Sequence, residues 1–180
     1  MKKIYKRNWL FELKSLAVMG TLLFAGTAAA QLSGTYSVNS AGGADYTSLT
    51  AVVDALNSNG VSGAVTINVV ASSGPYAGAL EFDDVTGTAT NTIVFNGNGT
   101  TVSTNGSRTI EISECEYLTI NDFVISNTGN GSQTRCVQIR DESDYVNITN
   151  CKLNMPNMTS TSTSNMYLYI GNGTGSPYSY

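Results

Sequence analysis

Hydrophobic residues recur along this chain with two different periods. Between residues 47 and 60 they fall at i, i+3, i+4 and i+7, which is the stripe of an amphipathic helix. Thr47 or Ser48 suits the N-cap, and Gly60 suits the C-terminal stop. The pattern predicts one helix that lies over an exposed end of a β core and hides it from edge pairing. The stripe consists of Leu49, Val52, Val53 and Leu56.

Beyond the predicted helix, apolar and polar residues alternate in very short runs separated by Gly, Asn, Asp, Ser and Thr, which is typical of short β-strands. The runs also repeat. Residues 110–125 match residues 137–153 with one residue inserted in the second copy, and partial copies begin at Leu80 and Leu168, a period of about 30 residues. The matched pairs, all apolar or Cys, are Ile110/Val137, Ile112/Ile139, Leu118/Val146, Ile120/Ile148, Phe123/Cys151 and Ile125/Leu153.

Three short strands per repeat indicate a solenoid, because one unit cannot bury its apolar side alone and stacked units can. We expect an all-β, right-handed parallel β-helix of triangular section with one N-terminal amphipathic capping helix. The competing fold is an antiparallel sandwich, which has no reason to repeat six apolar positions at one spacing. The expected organisation is a signal peptide at 1–30, an N-terminal strand and capping helix at 31–63, and β-helix coils at 64–180. No C-terminal cap is visible in this pattern, so we expect a truncated solenoid that self-associates through its last coil.

The first 30 residues resemble a secretory signal, with a basic start at Lys2, Lys3, Lys6 and Arg7, an apolar stretch at 16–25, and small residues at 28–30. This predicts cleavage near Ala30 and a secreted or cell-surface protein without a membrane span in the mature chain. Beyond residue 30 the chain has 4 basic and 12 acidic residues, a net charge of −8, so nucleic-acid binding is not expected. The absence of histidine excludes Ser-His-Asp and Cys-His catalysis and histidine-ligated metals.

Four runs near the N-terminus form a recognisable series, namely residues 34–38, 43–56, 63–69 and 74–82. This series resembles the start of the pectin-lyase-like right-handed β-helix proteins, especially the secreted and surface-attached members of Bacteroidota-type bacteria. The resemblance implies export and a helix that caps the first coil. The stretch 74–80 is similar to the start of pectin methylesterases, but the paired catalytic Asp motifs and the Gln-rich motif of that family have no counterpart downstream.

Aligning the repeats produces columns of outward polar residues that are the candidates for chemistry. One column contains Glu81, Glu111 and Gln138, and like charges this close require either a proton or a cation between them. Asp84, Glu114 and Asp141 form a second column, and oxygen ligands in this number favour Ca²⁺. The resemblance to polysaccharide lyases makes Arg140 the candidate base beside this patch. Solvated outward carboxylates that only keep the solenoid soluble are the simpler interpretation.

The aligned tyrosines and the cysteines are further candidates. Tyr117 and Tyr145 occupy equivalent positions and are candidate sugar contacts, or else they close the corners of the coil. Cys151 falls in an inward column and is interpreted as a core residue. A disulfide between Cys115 and Cys136 is possible, but the coil alignment does not indicate it.

From these observations we expect an exported, structural or adhesin-like surface module that contacts a polysaccharide or cell-surface glycan and needs no cofactor. The alternative is a pectate-lyase-like or pectinesterase-like enzyme whose catalytic residues lie mostly outside this sequence. A third interpretation is a Ca²⁺-stabilised scaffold without a ligand of its own.

Overall fold

The computed structural model describes residues 30–159 and 165–171, and within them the chain is a parallel β-solenoid of about five turns with one α-helix. This confirms the predicted fold class. The elements in chain order are β1 (Leu32–Val38), α1 (Leu49–Asn59), β2 (Val61–Val69), β3 (Tyr76–Ala77), β4 (Leu80–Asp83), β5 (Ile93–Thr104), β6 (Arg108–Ser113), β7 (Leu118–Asn127), β8 (Arg135–Arg140), β9 (Asn147–Thr149), β10 (Lys152–Asn154) and β11 (Met166–Ile170).

The strands form three faces around a common core. The first face holds β1, β2, the first halves of β5 and β7, and β9, while the second face holds β3, the second halves of β5 and β7, and β10. The strands β5 and β7 each run through both faces. They bend from the first face to the second, and the bend appears as a shift in the register of β5 against β7 between Asn96 and Thr100. The third face holds β4, β6, β8 and β11 in that spatial order. Every described strand pair is parallel, which excludes the sandwich.

The repeat aligns in space as the sequence predicts. Ile120 pairs with Ile148 in the first face. In the third face, β6 and β8 of the two complete repeats lie between β4 and β11 of the two partial repeats. One detail differs, because the runs 118–120 and 123–125 form the single bent strand β7, in which Asp122 turns the chain with a left-handed φ of 56°. The rows of the third face are Leu80/Ile110/Val137/Leu168 and Phe82/Ile112/Ile139/Ile170.

The inward rows make one continuous hydrophobic core up to β8, while Leu168 and Ile170 of β11 are 42% and 69% exposed. Phe82 of the third face meets Phe95 of the first face edge to face, with ring centroids 5.2 Å apart and an interplanar angle of 89°. Each fully buried side chain of this kind contributes on the order of 1.5–3 kcal/mol. Stacked turns therefore stabilise each other, as a solenoid requires.

The helix α1 covers the first edge of the third face. Its N-cap is Ser48, whose hydroxyl accepts from the backbone N–H of Ala51 at 3.1 Å, and its four stripe residues are buried as predicted. The amide of Asn57 donates to the carbonyl of Glu81 at 2.7 Å and accepts from the N–H of Asp83 at 3.3 Å. A side-chain amide thus takes the place of a neighbouring strand, and the helix occupies the edge that another chain would otherwise pair with.

A ladder of side-chain amides runs along the bend between the first and second faces. Asn96 donates to Asn68 at 2.9 Å, Asn121 donates to Asn96 at 3.1 Å, and Asn150 donates to Asn121 at 2.8 Å. Each turn therefore fixes the bend of the next, since the amide oxygens of Asn68, Asn96 and Asn121 each accept from the turn that follows.

Only the proposed boundary between the capping helix and the coils can be compared with the described strands. Strand β2 begins at Val61, shortly before the expected boundary at residue 64. The proposed signal peptide at 1–30 lies outside the described residues except for Ala30. No helix in the described ranges has the length and apolar character needed to cross a bilayer.

Candidate functional site

The outward surface of the third face carries the predicted polar columns. Glu81 pairs with Glu111, and Glu111 pairs with Gln138, in the register that the repeat predicts. The adjacent column places Ser113 between Asp83 and Arg140. Consecutive turns therefore bring three carboxylates and an arginine together on one face.

Glu111 is the centre of this face. Its carboxylate accepts from Arg108 Nη1 at 2.8 Å and from Arg140 Nε at 2.6 Å, and only 11% of its side chain is exposed. The cation that like-charge repulsion between Glu81 and Glu111 demands is thus supplied by two arginines of the chain itself. Neither arginine contact with Glu111 was predicted from the sequence.

The network extends towards β11 through Gln138. The side-chain oxygen of Gln138 accepts from Arg108 Nε and from Arg135 Nη1, both at 2.6 Å. The Arg135 guanidinium lies over the ring of Tyr169, 3.9 Å from its centroid, which is a cation–π contact. Burial lowers the pKa of Arg135, and its Nε is the one buried side-chain nitrogen or oxygen without a hydrogen-bond partner in the described part of the chain.

Arg140, the candidate base, forms ion pairs with two carboxylates. It binds Glu111 and also forms an ion pair with Asp141. The hydrogen bond to Glu111 raises the pKa of Arg140 above its ordinary value. A general base must surrender its proton near the working pH, so this environment opposes the role that the resemblance implied for Arg140.

The predicted column of Asp84, Glu114 and Asp141 occupies one corner of successive turns. All three residues have left-handed φ values, between 46° and 54°, and the N–H of Glu114 donates to the carbonyl of Asp141 at 2.8 Å. The Asp141 carboxylate is already bound to Arg140 and accepts from the Ser113 hydroxyl at 3.3 Å. The described residues contain no group of three or more Cys, Asp or Glu that could hold a metal ion, so the calcium interpretation gains no support from the structure.

Tyr117 and Tyr145 stack at the corner between the third and first faces. Their ring centroids lie 4.4 Å apart with an interplanar angle of 10°. Both residues have a φ of 54°, so equivalent left-handed turns aim the two rings the same way. Partial burial and the neighbouring Tyr145 ring raise the pKa of Tyr117. Tyr145 is 66% exposed, whereas Tyr169 is buried beneath the Arg135 guanidinium and takes no part in the stack.

All three cysteines are free thiols in the structure. Cys115 is fully buried and donates to the carbonyl of Ser113 at 3.1 Å, while Cys136 is buried beside the carbonyl of Asn154. Burial raises the pKa of Cys115 to about 11 and also raises the pKa of Cys136 and Cys151. Cys151 packs against the core but is only half-buried, so these thiols are structural rather than reactive.

A cleft of about 580 Å³ opens on the second face, and sequence reasoning did not find it. One wall of the cleft is the segment 70–75, which joins the first face to the second face in the first full turn. In the next turn residues 97–99 make this connection, and in the turn after that Asp122 makes it alone, so the first connection is the longest of the three. The greater length of this connection, together with Gly74 and Pro75 in it, is the feature of the sequence that could have indicated the cleft. The lining consists of Ser72, Gly74, Pro75, Asn98, Gly99, Thr100, Thr101, Ser103, Ser126 and Thr128.

Comparisons of this chain with family models, with curated proteins and with solved structures found no match. The resemblance to pectin-lyase-like proteins therefore stays a prediction. The function must be argued from the arrangement of the residues themselves, namely the charged third face, the tyrosine stack and the uncharged cleft.

Proposed function

We propose that this chain is an exported, non-catalytic β-helix module of a cell surface that contacts a glycan through Tyr145 and Tyr117. The observation that carries the proposal is the parallel stack of two tyrosines, in which the outer ring is largely exposed. An aromatic ring with a free face and a hydroxyl suits a sugar, which presents C–H groups on one side and hydroxyls at its rim.

The stack also reduces the cost of binding. A single exposed tyrosine must lose rotational freedom when a ligand covers it, whereas Tyr145 is held against Tyr117 before any ligand arrives. The two rings come from equivalent corners of successive turns, and these corners are joined by the bridge between Glu116 and Asp144. The platform is thus built on the solenoid rather than on a free loop.

Three further observations favour binding over turnover. The chain has no histidine, Arg140 is held charged by Glu111 and Asp141, and the central carboxylate of the third face is neutralised by two arginines. Groups that already satisfy one another are not poised to take a proton. The proposed leader and the net charge of −8 beyond it fit an extracellular protein that keeps clear of anionic surfaces.

The test is affinity electrophoresis of the chain, without residues 1–30, through gels that contain soluble plant or bacterial polysaccharides. Tyr145→Ala should weaken retention about tenfold, because losing a stacked ring costs on the order of 1–1.5 kcal/mol. Tyr167→Ala is the matched control, since Tyr167 is also an exposed tyrosine, at 55%, and lies outside the stack. Equal retention of both variants, or no retention of the parent chain by any polysaccharide, would refute the proposal.

The alternative of a polysaccharide lyase makes an opposite prediction. A lyase acting through Arg140 would release unsaturated product from polygalacturonate, seen as ultraviolet absorbance, and Arg140→Ala would abolish the release. We expect no such product, because the bonds to Glu111 and Asp141 keep the Arg140 guanidinium protonated.

A further inference from the structure

The cleft on the second face has the chemistry of a site for an uncharged ligand. No charged side chain and no aromatic ring contributes to its lining, although the chain as a whole is acidic. Its polar groups are hydroxyls and one carboxamide, which both donate and accept hydrogen bonds. Its volume of about 580 Å³ falls within the range of small-molecule sites.

The wall of the cleft is fixed before any ligand binds. The Ser40 hydroxyl donates to the carbonyl of Ser73, and the Ser73 hydroxyl lies 2.8 Å from the hydroxyl of Tyr76, which is buried. The Asn98 amide, at the bend, donates to the carbonyl of Val69 at 2.6 Å. A Cβ at Gly74 would lie only 2.6 Å from the methyl group of Thr100, so glycine lets this wall pack directly on the strand. The ordering cost of a mobile loop is thereby avoided.

The floor of the cleft is a strip of the parallel sheet. Thr101 and Ser103 alternate in β5 with the inward-pointing Val102, and Ser103 pairs with Ser126 of the next turn. The side-chain hydroxyls of Thr101 and Ser103 make no hydrogen bond within the described residues, so they are available to a ligand. Strand stacking places such groups about 4.8 Å apart from turn to turn.

We propose that this cleft binds a segment of a neutral oligosaccharide, as a second glycan site separate from the tyrosine stack. The inference rests on the proposed function, because it takes the ligand to be a glycan, and it adds the site and the uncharged class of sugar. Hydroxyls and amides match the hydroxyls of hexoses in either direction. Acidic sugars would instead lose the hydration of their carboxylates without gaining a cation in return.

Isothermal titration with cellohexaose, mannohexaose and hexagalacturonate tests the site. We expect one or both neutral hexamers to bind and hexagalacturonate not to bind at this site. Thr101→Trp, which fills the cleft, should weaken binding of the neutral hexamer at least tenfold. Thr119→Trp should change it less than twofold, because Thr119 is an equally half-buried outward threonine of a β-strand but lies on the first face, away from the cleft.

Two further variants separate the outcomes. Thr128→Trp, at an exposed position of the lining, replaces Thr101→Trp if the latter does not fold by circular dichroism. Binding of the neutral hexamers that is lost in Tyr145→Ala but kept in Thr101→Trp and Thr128→Trp would overturn the cleft site and leave the proposed function standing. Absence of binding by the neutral hexamers while polysaccharide retention persists would do the same. Absence of every glycan interaction would overturn both.

Discussion

Replacing Glu111 by Gln tests whether the charged third face stabilises the solenoid. The substitution keeps the size of the side chain but removes the negative charge that Arg108 and Arg140 share. Each charge-assisted hydrogen bond to a buried acid is worth about 1.5–3 kcal/mol. Both arginine side chains are 35% exposed, so solvent screens part of this energy. Gln also retains one acceptor oxygen, and we therefore expect a total loss of about 2 kcal/mol.

The measurement is urea unfolding at neutral pH, followed by circular dichroism, together with thermal unfolding. A loss of about 2 kcal/mol corresponds to a fall in Tm of roughly 4–8 °C for a chain of this size. Glu81→Gln is the matched control, because Glu81 lies in the same column one turn earlier but is exposed and has no ion pair in the described residues. It should change stability by less than about 0.5 kcal/mol.

A double-mutant cycle of Glu111→Gln with Arg140→Gln isolates the pair. The coupling energy should be about 1 kcal/mol or more, since the two groups are in direct contact at 2.6 Å. If Glu111→Gln and Glu81→Gln destabilise the chain equally, or if the cycle shows no coupling, the third face does not act as a structural network and the reasoning fails.

Four further predictions follow from other parts of the structure. Asn57→Ala should cost about 1–2 kcal/mol in urea unfolding and increase self-association in sedimentation velocity, since it removes the helix's bonds to the edge of β4, whereas Ser58→Ala should do neither. Hydrogen bonds from Ser37 lower the pKa of Asp45, so the ionised carboxylate stabilises the fold. The parent chain should therefore be more stable than Asp45→Asn above pH 3.8, the ordinary pKa of Asp45, and this difference in unfolding free energy should disappear as the pH falls through the lowered pKa. The thiols, Cys115 above all, should resist a disulfide reagent at about pH 8 until the chain unfolds, because burial raises their pKa. Calcium should leave the Tm unchanged, and a calcium-dependent rise would revive the site at Asp84, Glu114 and Asp141.

The inward half of the fold was predictable from sequence because packing imposes the same demand at every turn. A position that faces the core between two turns must be apolar in each of them, so Ile110, Val137 and Leu168 recur with the period of the coil. The outward columns were predictable for the same reason, since backbone register carries outward residues along with inward ones. Register therefore determined which residues align, including Glu111 with Gln138.

What the sequence did not reveal is which side chains bind each other across those columns. Arg108 contacts Glu111 three positions along its own strand and Gln138 in the next turn, and only the conformation of the long arginine side chain decides this. The ion pair between Arg140 and Asp141 was equally hidden, and without it the column of Asp84, Glu114 and Asp141 suggested a calcium site. The cleft was not predicted for a different reason. Its wall at 70–75 has no equivalent in the other turns, and the prediction relied on positions that match between turns.

The charged face, the cleft and the tyrosine stack differ in how far their polar groups already bind one another. On the third face, Glu111 and Gln138 already accept bonds of 2.6–2.8 Å from arginines, so a ligand would have to break interactions before it made any. The Thr101 and Ser103 hydroxyls of the cleft make no such bond within the described residues, and Tyr145 is 66% exposed, so a ligand proposed to bind there would displace mainly water. Of these three surfaces, the charged one is therefore the least suited to the proposed recognition of a ligand. Variants that remove charges from the third face should change stability with little effect on binding, and variants in the cleft or the stack should do the reverse.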